Sequence, residues 1–169
     1  GMKMKLLLPV ACIAFLAACN NSSDKKEGKD ETAMGNDTMH HMPAPGSNIP
    51  ALPDVPEGAK VIFENLKQGS AFKSPFKVQM GVDMIRVDTA GPVVAGSGHH
   101  HIIIDGPDSL VAGEMVPKDS THLHFGKGQT ETELTLSPGK HKLTLQFADG
   151  LHRSYGGRLS ATITVNVKQ

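Results

Sequence analysis

The segment Phe76-Lys77-Val78-Gln79-Met80-Gly81 alternates apolar residues with polar residues or glycine. Successive side chains of a β-strand point to opposite faces, so this alternation predicts a strand with one face in a core. The same two-residue period returns in other short segments, and none of them shows sustained helical spacing. The segments that we interpret as strands are 61–64, 76–81, 84–88, 99–105, 121–125, 131–136, 140–147 and 159–167.

Glycine and proline separate these segments, for example at Gly91-Pro92 and at Ser137-Pro138-Gly139. Such residues are typical of turns. Seven or eight short strands over roughly 110 residues favour a sandwich, so we predict an all-β, immunoglobulin-like antiparallel β-sandwich, although the Cys…Trp…Cys hallmark is absent. The alternation predicts a core made of Val61, Phe63, Phe76, Val78, Leu123, Phe125, Leu134, Leu136, Leu143, Leu145, Phe147, Ile163 and Val165.

The N-terminus has the layout of a secretion signal. Lys3 and Lys5 precede an apolar run over residues 6–18, which fits a signal peptide and is too short to span a bilayer. The run ends in Leu16-Ala17-Ala18-Cys19, which resembles the lipobox that lipoprotein signal peptidase reads. We expect residues 1–18 to be a signal peptide, with Gly1 a cloning scar before Met2, and Cys19 to carry the lipid. An ordinary secretory peptide is the alternative.

Lipid attachment would anchor the protein in the cell envelope. Asn20 follows the cysteine, and by enterobacterial sorting rules this favours the outer membrane, facing the periplasm, over the inner membrane. The sequence holds 17 basic and 17 acidic residues, and cleavage before Cys19 leaves 15 basic residues against 17 acidic ones, because it removes two lysines. That balance does not favour nucleic acid as a partner. A protein partner stays open.

Residues 19–57 differ in composition from the rest. Residues 20–32 are polar and charged, and residues 43–56 contain five prolines. We interpret residues 19–57 as a disordered tether and residues 58–169 as the folded domain. The tether contains the methionine and histidine cluster of residues 34–42, which is either a plain polar linker or a ligand for soft metals.

Five of the nine histidines lie in two strand-like segments, His99-His100-His101-Ile-Ile-Ile-Asp105 and Thr121-His122-Leu123-His124-Phe125. In the second, His122 and His124 share one face with their Cα atoms about 6.6 Å apart. Leu123 and Phe125 take the opposite face, which is then the core face. In the first segment either face is able to point inward.

These histidines suggest a metal site. If the two strands are neighbours, His99 or His101 completes a three-imidazole set with His122 and His124. Histidine ligation without cysteine suits Cu(II) or zinc better than Cu(I). The alternative is that the histidines bond to neighbouring groups and bind no ion. Candidates for an additional ligand, or for a group that orients an imidazole, are His100, Asp105, Asp149 and His152.

The segments Gly98-His-His-His-Ile-Ile-Ile-Asp105, His122-Leu-His-Phe-Gly-Lys-Gly-Gln-Thr-Glu131 and Leu136-Ser-Pro-Gly-Lys-His141 resemble a bacterial family of small periplasmic domains, domain-of-unknown-function family 4399. The resemblance covers roughly residues 58–168 and implies an exported β-rich domain with no established activity. After the strand ending at Phe147, members typically carry Asp-His-x-His-x-x-His. Of that motif only Asp149 and His152 carry over.

A more distant similarity is to copper-resistance proteins of the CopC type, which are also immunoglobulin-like. Their late Asp-Gly-His motif is approached by Asp149-Gly-Leu-His152, which is one residue longer. Their N-terminal histidine ligand has no counterpart at Cys19.

Three functions are compatible with the sequence. We favour a lipid-anchored binding domain with a histidine-lined site for copper or zinc, ahead of a structural or protein-interaction module without metal. A metal-dependent enzyme comes last, because nothing in the sequence supplies a general acid or a substrate cleft. We expect no enzyme of the serine or thiol type either, because the sequence lacks a Gly-x-Ser-x-Gly elbow and the domain lacks a thiol. The distance between the two histidine segments tests the metal hypothesis.

Overall fold

The structure is a computed structural model that describes residues 48–169, and the statements below concern that part of the chain. It contains strands and one short 3-10 helix. The elements are β1 (Lys60–Phe63), β2 (Ala71–Lys73), β3 (Phe76–Asp83), β4 (Arg86–Val87), β5 (Ser97–Ile104), β6 (His122–His124), β7 (Glu131–Leu134), β8 (Gly139–Ala148), the 3-10 helix η1 (Gly156–Leu159) and β9 (Ser160–Lys168).

The strands form two sheets. The smaller has the order β1-β3-β7, and the larger has the order β2-β9-β8-β5-β4, with β6 also paired to β5. All pairings are antiparallel except β2 with β9 and β4 with β5, which are short parallel pairs. The predicted all-β sandwich is confirmed.

Most strand ends differ from the prediction by one or two residues. Two differences matter more, one unpredicted strand and one strand shortened to two residues, and the local backbone gives the reason for the second. Strand β2 was not predicted, because three residues are too few to show a two-residue period. The predicted strand 84–88 shortens to Arg86–Val87, since Met84 has a left-handed backbone with φ of 57°.

One hydrophobic core lies between the two sheets. Ten of the thirteen predicted core residues are buried, and the other three, Leu123, Leu136 and Ile163, are partly buried against the same core. Leu143, Leu145 and Phe147 of β8 are fully buried. Burying a side chain of this size contributes about 1.5–3 kcal/mol, so the core fixes the register of β8 and of its neighbour β5.

Loops cover the outer face of the larger sheet. Ile103, Leu110, Val116 and Ala148 form a second, smaller apolar cluster there. The buried Gln146 side chain ties the loops to the sheet, because its Oε1 accepts from the Leu110 amide at 2.9 Å and its Nε2 donates to the Gly156 carbonyl at 3.2 Å. Strand β5 is therefore buried on both faces.

Residues preceding β1 contact the domain. The Arg153 guanidinium donates to the Pro50 carbonyl at 2.6 Å, and Leu52 and Val55 pack partly against the core. The predicted tether extends to residue 57, but this last part of it follows the domain surface. The signal peptide, Cys19 and the Met/His cluster lie outside the described residues. Among the residues described, we find no helix of the length and hydropathy needed to cross a membrane.

Candidate metal centre

Strand β5 sends its consecutive histidines to opposite faces of the larger sheet. Ile102 points into the core between the sheets, whereas Ile103 belongs to the outer cluster. His99 and His101 alternate in phase with Ile103 and so lie on the outer face. Both are buried, with at most 1% of their surface exposed. The covering loops enclose these two imidazoles.

Strand β6 brings a third histidine to the same face. The antiparallel register pairs His124 with His101 and Leu123 with Ile102. The His101 and His124 rings stack with their centres 5.1 Å apart. The prediction that Leu123 faces the core agrees with this register. His99, His101 and His124 each offer a ring nitrogen, and these three atoms lie within 4.8 Å of one another.

A fourth histidine comes from the turn after β8. His152 has a left-handed backbone with φ of 67°, which is uncommon for a residue with a side chain. Its Nε2 lies 3.1 Å from Nε2 of His124, and its ring centre is 5.0 Å from that of His99. Strained conformations of this kind concentrate at functional sites.

Asp149 fixes the turn that carries His152. Its Oδ1 accepts from the amides of Leu151 and Arg153, both at 2.9 Å, and its Oδ2 lies 2.6 Å from Nη2 of Arg153. The Asp149 side chain is fully buried. A buried carboxylate with charged and backbone partners holds a turn rigidly. Asp149 therefore positions His152 without itself reaching the ring cluster.

The spacing of the four rings fits a common ion. Imidazole nitrogens at about 2.0–2.1 Å from a tetrahedral ion place ring centres roughly 5 Å from one another. Five of the six ring pairs here are 4.8–5.1 Å apart, and the His101–His152 pair is 6.1 Å apart. The ring centres therefore form a tetrahedron that is longer along the edge from His101 to His152.

Burial keeps the imidazoles of His99 and His101 neutral. It is the largest cause that lowers the pKa of His99 to about 4 and that of His101 to about 2, and neighbouring histidines lower both further. Within the described residues, neither ring nitrogen of His99 has a hydrogen-bond partner, and Nδ1 of His101 has none. A buried nitrogen without a partner costs about 1–3 kcal/mol. An ion bound by the lone pairs would offset that cost.

A cavity of about 230 Å³ adjoins the cluster. Its histidine wall consists of His101, His124 and His152, whereas His99 lies behind them. The remaining lining comes from the loop between β5 and β6, namely from Met115, Val116, Pro117 and Lys118. The centre is therefore buried on one side and reachable from the other.

The family model named "Domain of unknown function (DUF4399)" matches residues 78–168. The chain belongs to this family. The predicted resemblance is confirmed, and the match contains all four clustered histidines. The likeness to copper-resistance proteins stays a prediction. No curated protein and no solved structure matches the chain.

Two of the histidines singled out in the sequence lie outside the cluster of this DUF4399 domain. His122 turns to Asp119, with 2.9 Å between its Nδ1 and the carboxylate Oδ1. This contact lowers the pKa of Asp119 well below its usual range. His100 points into the core, edge-on to Phe147 at 5.0 Å between ring centres. Strand geometry predicted that His122 and His124 bind the ion together. In the structure the neighbour of His124 in the cluster is His152 instead.

Asp105 also lies apart from the cluster, in a contact with His141. Its Oδ2 is 2.8 Å from Nδ1 of His141, and Oγ of Ser137 is 3.4 Å from the other ring nitrogen. The order Ser-His-Asp is that of a hydrolase triad. Here, however, Nε2 donates to the Ser137 carbonyl at 2.9 Å and so cannot accept a hydroxyl proton. The set acts as a clamp between β5 and β8.

Met115 and Lys118 were not identified from the sequence of this DUF4399 domain. They belong to the loop between β5 and β6, where no periodic pattern indicates direction. The isolated bridge between Met115 and Arg153 brings this loop beside the turn of His152. Only the composition of residues 115–118, three apolar residues followed by one lysine, hinted at a lining.

Proposed function

We propose that this DUF4399 domain binds a copper or zinc ion through His99, His101 and His124, with His152 as the fourth ligand. The observation that carries this proposal is the convergence of four imidazoles, two of them buried, around one point at the spacing of a tetrahedral ion. The roles that we propose are delivery, buffering or maintenance of the metal in the cell envelope.

The chemistry of the ligands supports these metals. Imidazole nitrogen is a borderline ligand that suits zinc and copper, and the sequence has no cysteine after residue 19. A site made only of histidines suits Cu(II) or zinc better than Cu(I). We further propose that Cys19 anchors the chain by lipid to the outer membrane, so that the site faces the periplasm. The envelope is compatible with either metal.

The competing hypothesis is a structural or protein-interaction module whose histidines only bond to their neighbours. His122 and His141 have this role, since each contacts a carboxylate within 2.9 Å. His99 is different because no partner in the described chain satisfies either of its ring nitrogens. Both ring nitrogens of His100 are also without a partner, but that ring lies alone against Phe147 in the core. The unpartnered nitrogens of His99 instead lie beside three further imidazoles, and this arrangement favours the ion for the four-ring cluster.

Calorimetric titration of the full mature chain with Cu(II), and separately with Zn(II), tests the proposal. The background variant His40→Gln/His41→Gln removes histidine binding by the predicted tether. We expect one ion per chain and a loss of affinity of at least about 100-fold in His101→Gln/His124→Gln. The control His141→Gln should bind as the background does.

Urea unfolding of each variant shows whether it is folded. If the folded double variant binds as tightly as the background, or if the background binds no ion, the metal proposal is wrong and the structural module is favoured. The single variant His124→Gln, whose side chain is partly exposed, provides the same test if the double variant fails to fold.

A further inference from the structure

The four-histidine shell has its widest gap on the side of the cavity. His101 and His152 form the only ring pair of the six that exceeds 5.1 Å, at 6.1 Å, and both rings line the cavity. His99 closes the opposite side and is fully buried. An ion held by these rings would be accessible from the cavity. This geometry gives a possible fifth ligand one direction of approach.

The cavity has an apolar wall and a single charged side chain. Met115, Val116 and Pro117 supply the wall, and Lys118 is the only charged residue among the described residues of the lining. Lys118 is exposed, so water screens its charge and its attraction for an anion is modest.

The acidic residues that flank the lining are bonded elsewhere. Glu114 Oε2 accepts from the Val111 amide at 3.1 Å. Asp119 accepts from the Thr121 hydroxyl at 2.7 Å and contacts His122. Neither carboxylate is part of the cavity lining, so neither neutralises Lys118 there. The cavity therefore attracts negative charge even before the ion adds its own.

We propose that the bound ion keeps a coordination position open to this cavity, and that a small anion binds there between the ion and Lys118. The inference rests on the proposed metal site. The volume of about 230 Å³ is below the roughly 300–1,000 Å³ of drug-sized sites, so it admits a ligand of a few heavy atoms. A short-chain carboxylate is the class that fits this volume, charge and apolar wall.

Azide and acetate are the probes for this site. The full chain with His40→Gln/His41→Gln is loaded with one equivalent of Cu(II) and then titrated with azide. The charge-transfer absorption and the electron paramagnetic resonance spectrum monitor the binding of azide. We expect a saturable azide band that acetate suppresses in competition. Lys118→Gln should raise the azide dissociation constant about two- to fivefold, as loss of an exposed charge does. Lys118→Arg should retain most of the affinity.

The affinity for Cu(II) is measured on the same samples. Lys73→Gln on β2 is the matched control, because it removes a lysine far from the cavity lining and should change neither affinity. If Cu(II) binds but azide leaves both spectra unchanged, or if Lys118→Gln binds azide as the parent does, the anion site is wrong while the metal site stands. If Cu(II) itself does not bind, both proposals are wrong.

Discussion

His101 and His124 are register partners in the antiparallel pairing of β5 with β6, and their rings stack at 5.1 Å. The pairing fixes both imidazoles on the outer face of the larger sheet. His122, two residues earlier on the same strand, is instead held by Asp119. One short strand thus carries two histidines with different surroundings. We therefore expect their substitution to have different effects on the affinity for the metal ion.

The two histidines of β6 should therefore differ in their effect on the metal. His124→Gln removes a ligand, and we expect the affinity for Cu(II) or Zn(II) to fall about 100-fold or more. His122→Gln removes the ring's contacts with Asp119 and the Thr121 hydroxyl, neither of which belongs to the cluster, and the affinity should stay within about threefold. Isothermal titration calorimetry on the two variants measures both values. Equal losses would contradict the assignment of His124 over His122.

Gly126 lies against the His124 ring, so a single methyl group there should move the ligand. A Cβ at this position would overlap Nε2 of His124. Because that ring is the exposed end of a side chain, it can rotate away, and we expect Gly126→Ala to cost no more than about 1 kcal/mol of unfolding free energy. The ion affinity should fall at least about tenfold.

The control is Gly157→Ala, whose Cβ would meet only the Ser109 side chain at 3.5 Å, an ordinary contact. Urea unfolding and metal titration are measured for both variants. A large loss of stability in Gly126→Ala with unchanged ion affinity would show that His124 does not need its present orientation.

Local patterns in the sequence were sufficient for the fold. The alternation around Phe76 and in β8 reflects burial of one face, which is a property of each strand by itself. The same reasoning placed Leu123 towards the core and His124 away from it, as the register has it. Predictions of which face a side chain takes need only the two-residue period, so they do not require knowledge of the neighbouring strands.

The composition of the site depended on contacts between distant segments. His152 reaches the cluster through a left-handed backbone that Asp149 and Arg153 hold in place, and no periodicity encodes such a turn. His122 does not join His124 as predicted, because its ring contacts the carboxylate of Asp119 in the preceding loop. Lys118 enters the lining through a loop whose path depends on the second apolar cluster.

Asp149 should link domain stability with metal affinity. It is fully buried against Arg153, so Asp149→Asn leaves the guanidinium without its charge partner. Breaking a buried pair in this way costs about 3–5 kcal/mol. Because the turn of His152 loses its anchor, ion affinity should also fall about 10–100-fold. Urea unfolding and titration calorimetry measure the two effects.

Asp108→Asn is the control for this prediction. Its partner Lys142 lies at 2.8 Å, but the Asp108 side chain is 77% exposed. Exposed pairs contribute at most about 1 kcal/mol, so stability should change little and ion affinity not at all. If Asp149→Asn behaved like Asp108→Asn, the turn would not depend on the buried pair.

The clamp between His141 and Asp105 should make stability depend on pH. The hydrogen bond that the His141 ring donates to the Asp105 carboxylate raises the pKa of His141. Burial raises the pKa of Asp105, but hydrogen bonds from His141 and the Lys142 amide outweigh burial and leave it below its usual range. The unfolded values are about 6.5 for histidine and about 3.9 for aspartate.

The directions of the two pKa shifts define the pH range in which this pair stabilises the fold. A raised pKa means that the contribution of His141 is complete below about pH 6.5 and is lost as the pH rises through its folded pKa. The lowered pKa of Asp105 means that its contribution is present above about pH 3.9 and is lost as the pH falls through its folded value. The pair therefore stabilises the fold most between roughly pH 4 and 6.5.

Urea unfolding of the parent and of His141→Gln, in chelator, at pH 5.5 and pH 8 checks this. The Asp105 side chain is 51% exposed, so we expect the variant to be less stable by no more than about 1 kcal/mol at the lower pH, and the difference to shrink at the higher one. Asp105→Asn, which keeps the shape but removes the charge, should abolish most of that pH dependence. A difference of equal size at both pH values would mean that shape and neutral hydrogen bonds, rather than the protonated imidazole, hold β5 to β8.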